Sequence, residues 1–283
     1  MGIAYLFPGQ GSQRAGMREL VASARPDLLE LAARTIGDDL FDRLQEGTAY
    51  LQPAIYLTGL ASLSRLAGPP PALYAGHSLG ELTALVAAGA LSEEDGLRLV
   101  ATRGRLMQQA AEQGPAGAML AVGTDAASAA ALSAEHGLVV ANDNAPDQVV
   151  LSGDTAAIAQ ARTEAKRRGL RAFKLPIKGA FHSPSLAPIV PEYRAALDAV
   201  EVRPPRRPVL SCVTAEEFDD VRARLAESLT HGVRWREVLL ALHARGARRF
   251  VELGPGQVLT KLVGKSLTGV EAIAADAEEP AYA

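Results

Sequence analysis

The sequence predicts an α/β fold, with a large domain built on a parallel sheet and a small ferredoxin-like unit inserted into it. Three observations carry this. Short apolar runs alternate with longer stretches of helical periodicity across most of the 283 residues, as in strands joined through helices. Between residues 117 and 178 the order becomes strand, helix, strand, strand, helix, strand, the βαββαβ arrangement of two helices on one face of an antiparallel sheet. The composition, 48% hydrophobic and 22% charged, supplies a packed core and excludes a disordered or fibrous chain.

The elements follow in order. Residues 3–7 form an apolar strand stopped by Pro8-Gly9-Gln10-Gly11. Residues 54–66 repeat apolar positions at helical spacing until Gly68-Pro69-Pro70-Pro71 breaks them. A short strand at 72–75 runs into Gly76-His77-Ser78-Leu79-Gly80 and an Ala/Leu-rich helix, and 93–113 is a long amphipathic helix. In the inserted unit, strands are expected at 119–122, 138–141, 148–151 and 171–175, with helices at 125–136 and 154–168. After it come a helix at 188–200, a strand at 209–213, helices at 221–229 and 233–244, and a strand at 249–252. Gly254-Pro255-Gly256 then turns into a helix at 257–267. The acidic tail 275–283 is expected to fray. The predicted division is a catalytic domain of residues 1–116 and 179–283 around a subdomain of residues 117–178.

Charge narrows the function. Lys and Arg total 29 against 32 Asp and Glu, a net −3, so no global field favours nucleic acid or an anionic membrane. A single cysteine, Cys212, forms neither an intramolecular disulfide framework nor a cysteine-rich metal site. The first basic residue is Arg14, and the longest apolar stretch, 82–91, is about half of the ~20 residues a spanning helix needs. A cytoplasmic chain without metal or cofactor is expected.

Gly76-His77-Ser78-Leu79-Gly80 is a G-x-S-x-G motif between strand and helix. Small glycines permit the sharp turn that exposes the serine, and the helix start behind it supplies backbone N–H groups for a developing oxyanion. Ser78 is therefore the candidate nucleophile, and it needs a base. His77 supports the turn, and His136 and His243 sit in helical patterns. Spacing alone separates His182, in the turn Gly179-Ala180-Phe181-His182-Ser183-Pro184, only slightly from His231. A second glycine-rich turn, Phe7-Pro8-Gly9-Gln10-Gly11-Ser12-Gln13, lets backbone amides approach a ligand. It matches neither G-x-G-x-x-G nor a Walker loop, which disfavours a nucleotide.

With these blocks in place the chain resembles the malonyl-CoA:acyl carrier protein transacylase family, related to the acyltransferase domains of polyketide synthases. The two turns above match, as do Gln52-Pro53-Ala54, Arg103-Gly104-Arg105-Leu106-Met107-Gln108, Gly117-Ala118-Met119 and Asn142-Asp143-Asn144-Ala145-Pro146-Asp147-Gln148-Val149-Val150. Ala180-Phe181-His182-Ser183, Val233-Arg234-Trp235 and Glu252-Leu253-Gly254-Pro255-Gly256 complete the series in family order.

The resemblance implies an α/β-hydrolase-like large domain and malonyl transfer from malonyl-CoA to an acyl carrier protein. Ser78 would be the acylated nucleophile, His182 its base, and Gln10 with the Leu79 N–H the oxyanion hole. Arg103 would pair with the malonyl carboxylate, Asn142 and Asn144 would shape the site, and Phe181 resembles the malonyl-preferring pattern. Read alone, Gln10 is equally a loop cap, and Arg103 is one charge among Arg98, Arg103 and Arg105. Two departures stand out. Ser228 replaces the family's usual Gln, whose backbone carbonyl orients the base, and the 212–222 connection is short. Carrier proteins are typically acidic, which makes Lys166-Arg167-Arg168, Arg206-Arg207, and Arg245 with Arg248-Arg249 candidate docking charges. A monomer is expected. Fatty-acid synthesis, polyketide synthesis and a malonate decarboxylase subunit share the motifs. A thioester hydrolase, which would lack the arginine, and a non-catalytic carrier-binding subunit, which would lack Ser78 or His182, are the competing classes.

Overall fold

The computed structural model describes residues 2–37 and 40–276. In chain order its strands are β1 (Gly2–Phe7), β2 (Leu73–Gly76), β3 (Gly117–Val122), β4 (Val139–Ala145), β5 (Gln148–Asp154), β6 (Ala172–Lys174), β7 (Val209–Leu210), β8 (Ala247–Glu252) and β9 (Glu271–Ala274). They form two sheets. One is parallel, in the order β7-β2-β1-β8-β9, and the other antiparallel, in the order β4-β5-β3-β6.

The central strand β1 is apolar throughout because both of its faces are covered. Ala4 and Leu6 point into one hydrophobic cluster, which includes Trp235 and Leu239, while Tyr5 and Phe7 point into the other, with Ile55 and Leu82. That alternation is the two-residue period of a strand. The second cluster is built around the helix Thr48–Ser64, buried along nearly its whole length, and the helix Glu93–Gln113 packed across it. Gly96 permits the crossing. A Cβ there would lie 2.3 Å from the Tyr56 hydroxyl oxygen, and that hydroxyl donates to the Glu93 carbonyl at 2.8 Å.

The antiparallel sheet shows the same alternation. Ala118, Leu120 and Val122 of β3 meet Leu132 and Ile158 on the helices Ala126–Glu135 and Thr155–Arg167. Met119 turns the other way and joins the main core. Side-chain caps that the sequence displays start these helices: Asp125 accepts from the Ser128 N–H and Asp154 from the Ala156 and Ala157 N–H groups. Truncating a core residue such as Leu120 would cost about 2–5 kcal/mol.

Several boundaries differ from the sequence reading. The helix expected at 54–66 begins at Thr48, and helices Met17–Ala24 and Pro26–Thr35 and the 3-10 turn Leu40–Glu46 precede it. The strand expected at 209–213 has two residues, because the Ser211 N–H turns back to the Glu216 carbonyl. The helix expected from 233 starts at Trp235, because Val233 is engaged as a bridge to Asn142 of β4. The helix expected at 188–200 is Val190–Asp198, entered through the 3-10 turn Pro184–Ile189. Strand β9 was not anticipated. The predicted frayed tail lies outside the described residues from 277 onward, whereas the Ala275 N–H is held by the Glu252 carbonyl at 2.9 Å. Among the described residues no helix is long and apolar enough to cross a membrane.

Candidate active site

The carboxyl ends of β1 and β2 meet where the two motif turns begin, the usual ligand edge of a parallel sheet. The His77 N–H donates to the Phe7 carbonyl at 2.9 Å, and the next residue, Ser78, has φ +56° in the left-handed region. Such a conformation is strained for a residue with a Cβ and persists only where the surroundings enforce it. The enforcement comes from the flanking glycines. A Cβ on Gly76 would lie 1.9 Å from the Gly80 carbonyl, and one on Gly80 would lie 2.1 Å from the Phe7 oxygen.

His182 also has a positive φ, +54°. Ser183 locks its turn, donating to the Ala180 carbonyl at 2.6 Å and capping the 3-10 turn through the Ser185 N–H. The imidazole Nδ1 lies 2.8 Å from the Ser228 carbonyl oxygen, which can only accept, so Nδ1 carries the proton. That leaves the Nε2 lone pair to accept from Ser78 Oγ, also at 2.8 Å. Serine, imidazole and carbonyl thus form one chain, with Nε2 poised to take the hydroxyl proton.

Arg103 approaches the same oxygen. Its Nη2 donates to Ser78 Oγ at 3.1 Å and its Nη1 to Gln52 Oε1 at 2.7 Å. The side chain is 2% exposed, and no carboxylate forms an ion pair with it among the described residues. Burial lowers its pKa. Burial also brings the His182 pKa down to about 3, helped by the Arg103 charge and opposed by the Ser228 carbonyl. The imidazole is therefore neutral, the state a general base requires.

All eight predicted positions line one cavity of about 140 Å³: Gln10, Ser78, Leu79, Arg103, Asn142, Asn144, Phe181 and His182. Gln10 Oε1 accepts from the Thr48 hydroxyl at 3.0 Å, and the backbone N–H groups of Gln10 and Leu79 have no acceptor among the described residues. Asn144 accepts from His77 Nε2 at 2.8 Å while the His77 ring packs edge-on to Trp235, so His77 does brace the turn. Met119, Asn142 and Val150 bring the antiparallel sheet to the opposite wall.

A family model described as "Acyl transferase domain" matches residues 4–280. This chain belongs to the acyl transferase domain family. It is 39% identical to the malonyl CoA-acyl carrier protein transacylase of Bacillus subtilis, over 93% of this chain and 90% of that protein. It is 41% identical to the polyketide biosynthesis protein ThaF of Burkholderia thailandensis, of which it spans only 24%. Among solved structures, the malonyl-CoA:acyl carrier protein transacylase of Xanthomonas oryzae superposes at TM-score 0.89 and 37% identity, covering 96% of this chain and 94% of that one. The fold is that of these transacylases, an acyltransferase architecture with the antiparallel unit beside the parallel sheet.

Two buried polar residues at and behind the site, Gln52 and Glu81, have no role in the sequence reading. Gln52, 1% exposed, anchors Arg103 and donates from Nε2 to Met107 Sδ at 3.3 Å. Glu81 is wholly buried. Its Oε1 accepts from the Cys212 N–H at 2.7 Å, and its Oε2 has no hydrogen-bond partner among the described residues. Burial lifts its pKa to about 7. Gln52 opens the Gln52-Pro53-Ala54 block and Glu81 directly follows the Gly76–Gly80 turn, and a polar residue inside an apolar helical stretch is the signal that marks them. Half of the predicted docking charges are neutralised internally: Arg167 by Glu164, Arg168 by Glu164 and Glu135, Arg245 by Glu216, and Arg249 by Glu271.

Proposed function

We propose that the chain moves a malonyl group from malonyl-CoA to the phosphopantetheine thiol of an acyl carrier protein, through a malonyl ester on Ser78. The carrying observation is the convergence on one hydroxyl of a neutral imidazole and a buried guanidinium that has no carboxylate in salt-bridge contact among the described residues, only the more distant charge of Glu81. A buried cation with no carboxylate in contact is costly unless a ligand supplies one, and the free carboxylate of a malonyl group is such a ligand. The two planar groups pair through parallel N–H···O bonds.

In this reading Ser78 Oγ attacks the thioester carbonyl as His182 Nε2 takes its proton. The Gln10 and Leu79 N–H groups receive the oxyanion, and CoA leaves as the thiol with the proton returned from Nε2. The carrier's thiol then attacks the ester, giving its proton to Nε2, and Ser78 recovers the hydroxyl. Asn142, Asn144 and Phe181 complete the acyl pocket.

We further assign residues 1–116 and 179–283 to the catalytic domain and 117–178 to the inserted subdomain, in a cytoplasmic monomer. One chain supplies every group the scheme needs, which supports the monomer, and sedimentation checks it. The likeness to ThaF supports a place in polyketide biosynthesis, the likeness to the Bacillus subtilis transacylase supports the general transfer, and a panel of carrier proteins distinguishes the two roles. The deciding experiment is intact-mass measurement after incubation with malonyl-CoA. A malonyl adduct is expected on the wild type and none on Ser78→Ala; an adduct surviving in Ser78→Ala would overturn the assignment.

A further inference from the structure

The antiparallel sheet ends at β6, an edge strand of three residues. Beside it and the helix Thr155–Arg167 runs a groove lined by Arg162, Lys166, Arg171, Phe173 and Lys174. All five are exposed, and Phe173, at 64%, is the most exposed large hydrophobic side chain among the described residues. None of the four cations has an ion pair or side-chain hydrogen bond among those residues, whereas Arg167 and Arg168 on the same helix are tied to carboxylates. One lysine in water needs no partner. Four cations gathered around an exposed ring, in a chain of net charge −3, form a local positive field with an apolar centre. That is the complement of an acidic surface carrying an apolar side chain.

The chain runs from the groove directly to the active site. Lys174 is followed at once by Leu175, and Leu175 and Ile177 line the Ser78 cavity. The Leu175 N–H donates to the Met119 carbonyl at 2.9 Å, which keeps this stretch against β3 on its way inward. From Lys174 to Ile177 is at most about 11 Å of extended chain. A flexible thiol-bearing arm anchored in the groove has that short path to the ester.

We propose that this groove docks the acidic carrier domain whose thiol takes the malonyl group from Ser78, an assignment that rests on the transfer reading above. Carboxylates of the carrier meet Arg162, Lys166, Arg171 and Lys174, and an apolar side chain covers Phe173. The competing role for cations on an edge strand is to block sheet-to-sheet pairing between copies, and the test separates the two.

The charge-reversal pair Lys166→Glu with Arg171→Glu, the variant Phe173→Ser and the conservative Arg171→Lys are compared with the wild type. Three readouts are taken: malonyl-serine formation by intact mass, transfer to a holo acyl carrier protein, and transfer to free pantetheine. The expected result is a carrier KM raised at least about tenfold in the reversal pair and severalfold in Phe173→Ser. Acylation, transfer to pantetheine and the carrier kcat stay within about twofold, and Arg171→Lys behaves as wild type. The wild-type carrier KM should rise as salt goes from about 0.05 to 0.5 M, and the reversal pair should lose that dependence. An unchanged carrier KM, with or without aggregation of the variant, overturns the assignment, as does an equal fall in all three readouts. Absence of malonyl-serine in the wild type overturns the transfer reading itself, and this assignment with it.

Discussion

His182 Nδ1 donates to the backbone carbonyl of Ser228, not to a carboxylate, at 2.8 Å. A carbonyl fixes the imidazole tautomer and orientation without adding a negative charge behind it. Since the contact is to the main chain, the residue's own side chain is spectator chemistry. The Ser228 hydroxyl turns back to the Leu225 carbonyl at 2.9 Å, closing the end of the helix Val221–Glu227. The departure from the family's usual Gln therefore leaves the imidazole's support intact. Ser228→Ala should hold the transfer rate within about threefold of wild type. Steady-state transfer measures it, and a tenfold loss would show that the hydroxyl has a role in the site.

The low His182 pKa predicts an unusual pH profile. Burial and the Arg103 charge hold the imidazole neutral down to about 3. The rate of Ser78 acylation should then stay flat from pH 8 to about 5, with no step near the ordinary histidine value of roughly 6.5. Arg103→Ala removes the larger of the two charge effects that depress the imidazole beside its burial, and should raise its pKa, as followed by NMR titration of His182. His182→Ala should cost on the order of 10²–10⁴-fold in rate. A clear ionisation near 6.5 in the wild-type profile would contradict the buried, neutral base.

Arg103 should decide donor selectivity. Removing a partner of a charged hydrogen bond costs about 1.5–3 kcal/mol, so Arg103→Ala should lower kcat/KM for malonyl-CoA by roughly 10- to 150-fold. The rate with acetyl-CoA should change little. Arg103→Lys keeps the charge but loses the paired donors, and should fall between the two. Methylmalonyl-CoA should be a poorer donor than malonyl-CoA because Phe181 narrows the pocket, a difference of about 1–3 kcal/mol. A malonyl-to-acetyl ratio unaffected by Arg103→Ala would remove Arg103 from the acyl pocket.

Glu81 ties stability to pH. Burial raises its pKa to about 7, so between the ordinary value of 4.5 and about 7 the folded chain binds a proton that the unfolded chain releases. Its contribution is complete below 4.5 and is lost as the pH rises through 7, at up to about 1.4 kcal/mol per pH unit. Glu81→Gln keeps an acceptor for the Cys212 N–H and abolishes this slope. Denaturant unfolding at pH 5 and pH 8 should show the wild type losing stability relative to the variant by a few kcal/mol on the order of that slope. Parallel behaviour of the two proteins at both pH values would mean that Glu81 is already ionised at pH 5.

The parts of this fold most legible in the sequence were those where local chemistry and tertiary burial agree. Strands β1 and β2 are apolar runs stopped by glycine or a sharp turn, and the subdomain helices begin on aspartate caps. The helices Met17–Ala24 and Pro26–Thr35 begin instead at Gly16 and Arg25, with no capping side chain, and only Pro26 at the first position of the second marks a start locally. Strand β9 is Glu271-Ala272-Ile273-Ala274, with one strong strand former, and it exists because β8 offers an open edge. In the site, the Ser78 elbow could be read directly from its glycines. His182 could not be separated from His231 by spacing, because its distinction is a strained turn and a carbonyl 46 residues away. Arg103 held an overlooked local signal. It falls in helical step with the buried Leu99, Val100, Leu106 and Met107, a stripe that Arg98 and Arg105 avoid.

The antiparallel unit enters and leaves the large sheet at almost one point. The Gly179 N–H bonds the Gly117 carbonyl at 3.1 Å, and Gly117 lies so near Ala180 that a Cβ on it would come within 2.4 Å of the Ala180 nitrogen. Ser78 and His182 stand on opposite sides of this junction in sequence, with the whole excursion between them. A loop of roughly 60 residues closed by its own sheet adds only a slowly growing entropy of closure. The junction therefore fixes the span between nucleophile and base at one point, and the excursion reaches the site through its wall, where Met119, Asn142 and Val150 line the cavity and Asn144 holds the His77 ring. Exchange of Met119, Asn142 or Val150 would recast the space left beside Arg103 and Phe181 while the proton-transfer pair stays in register.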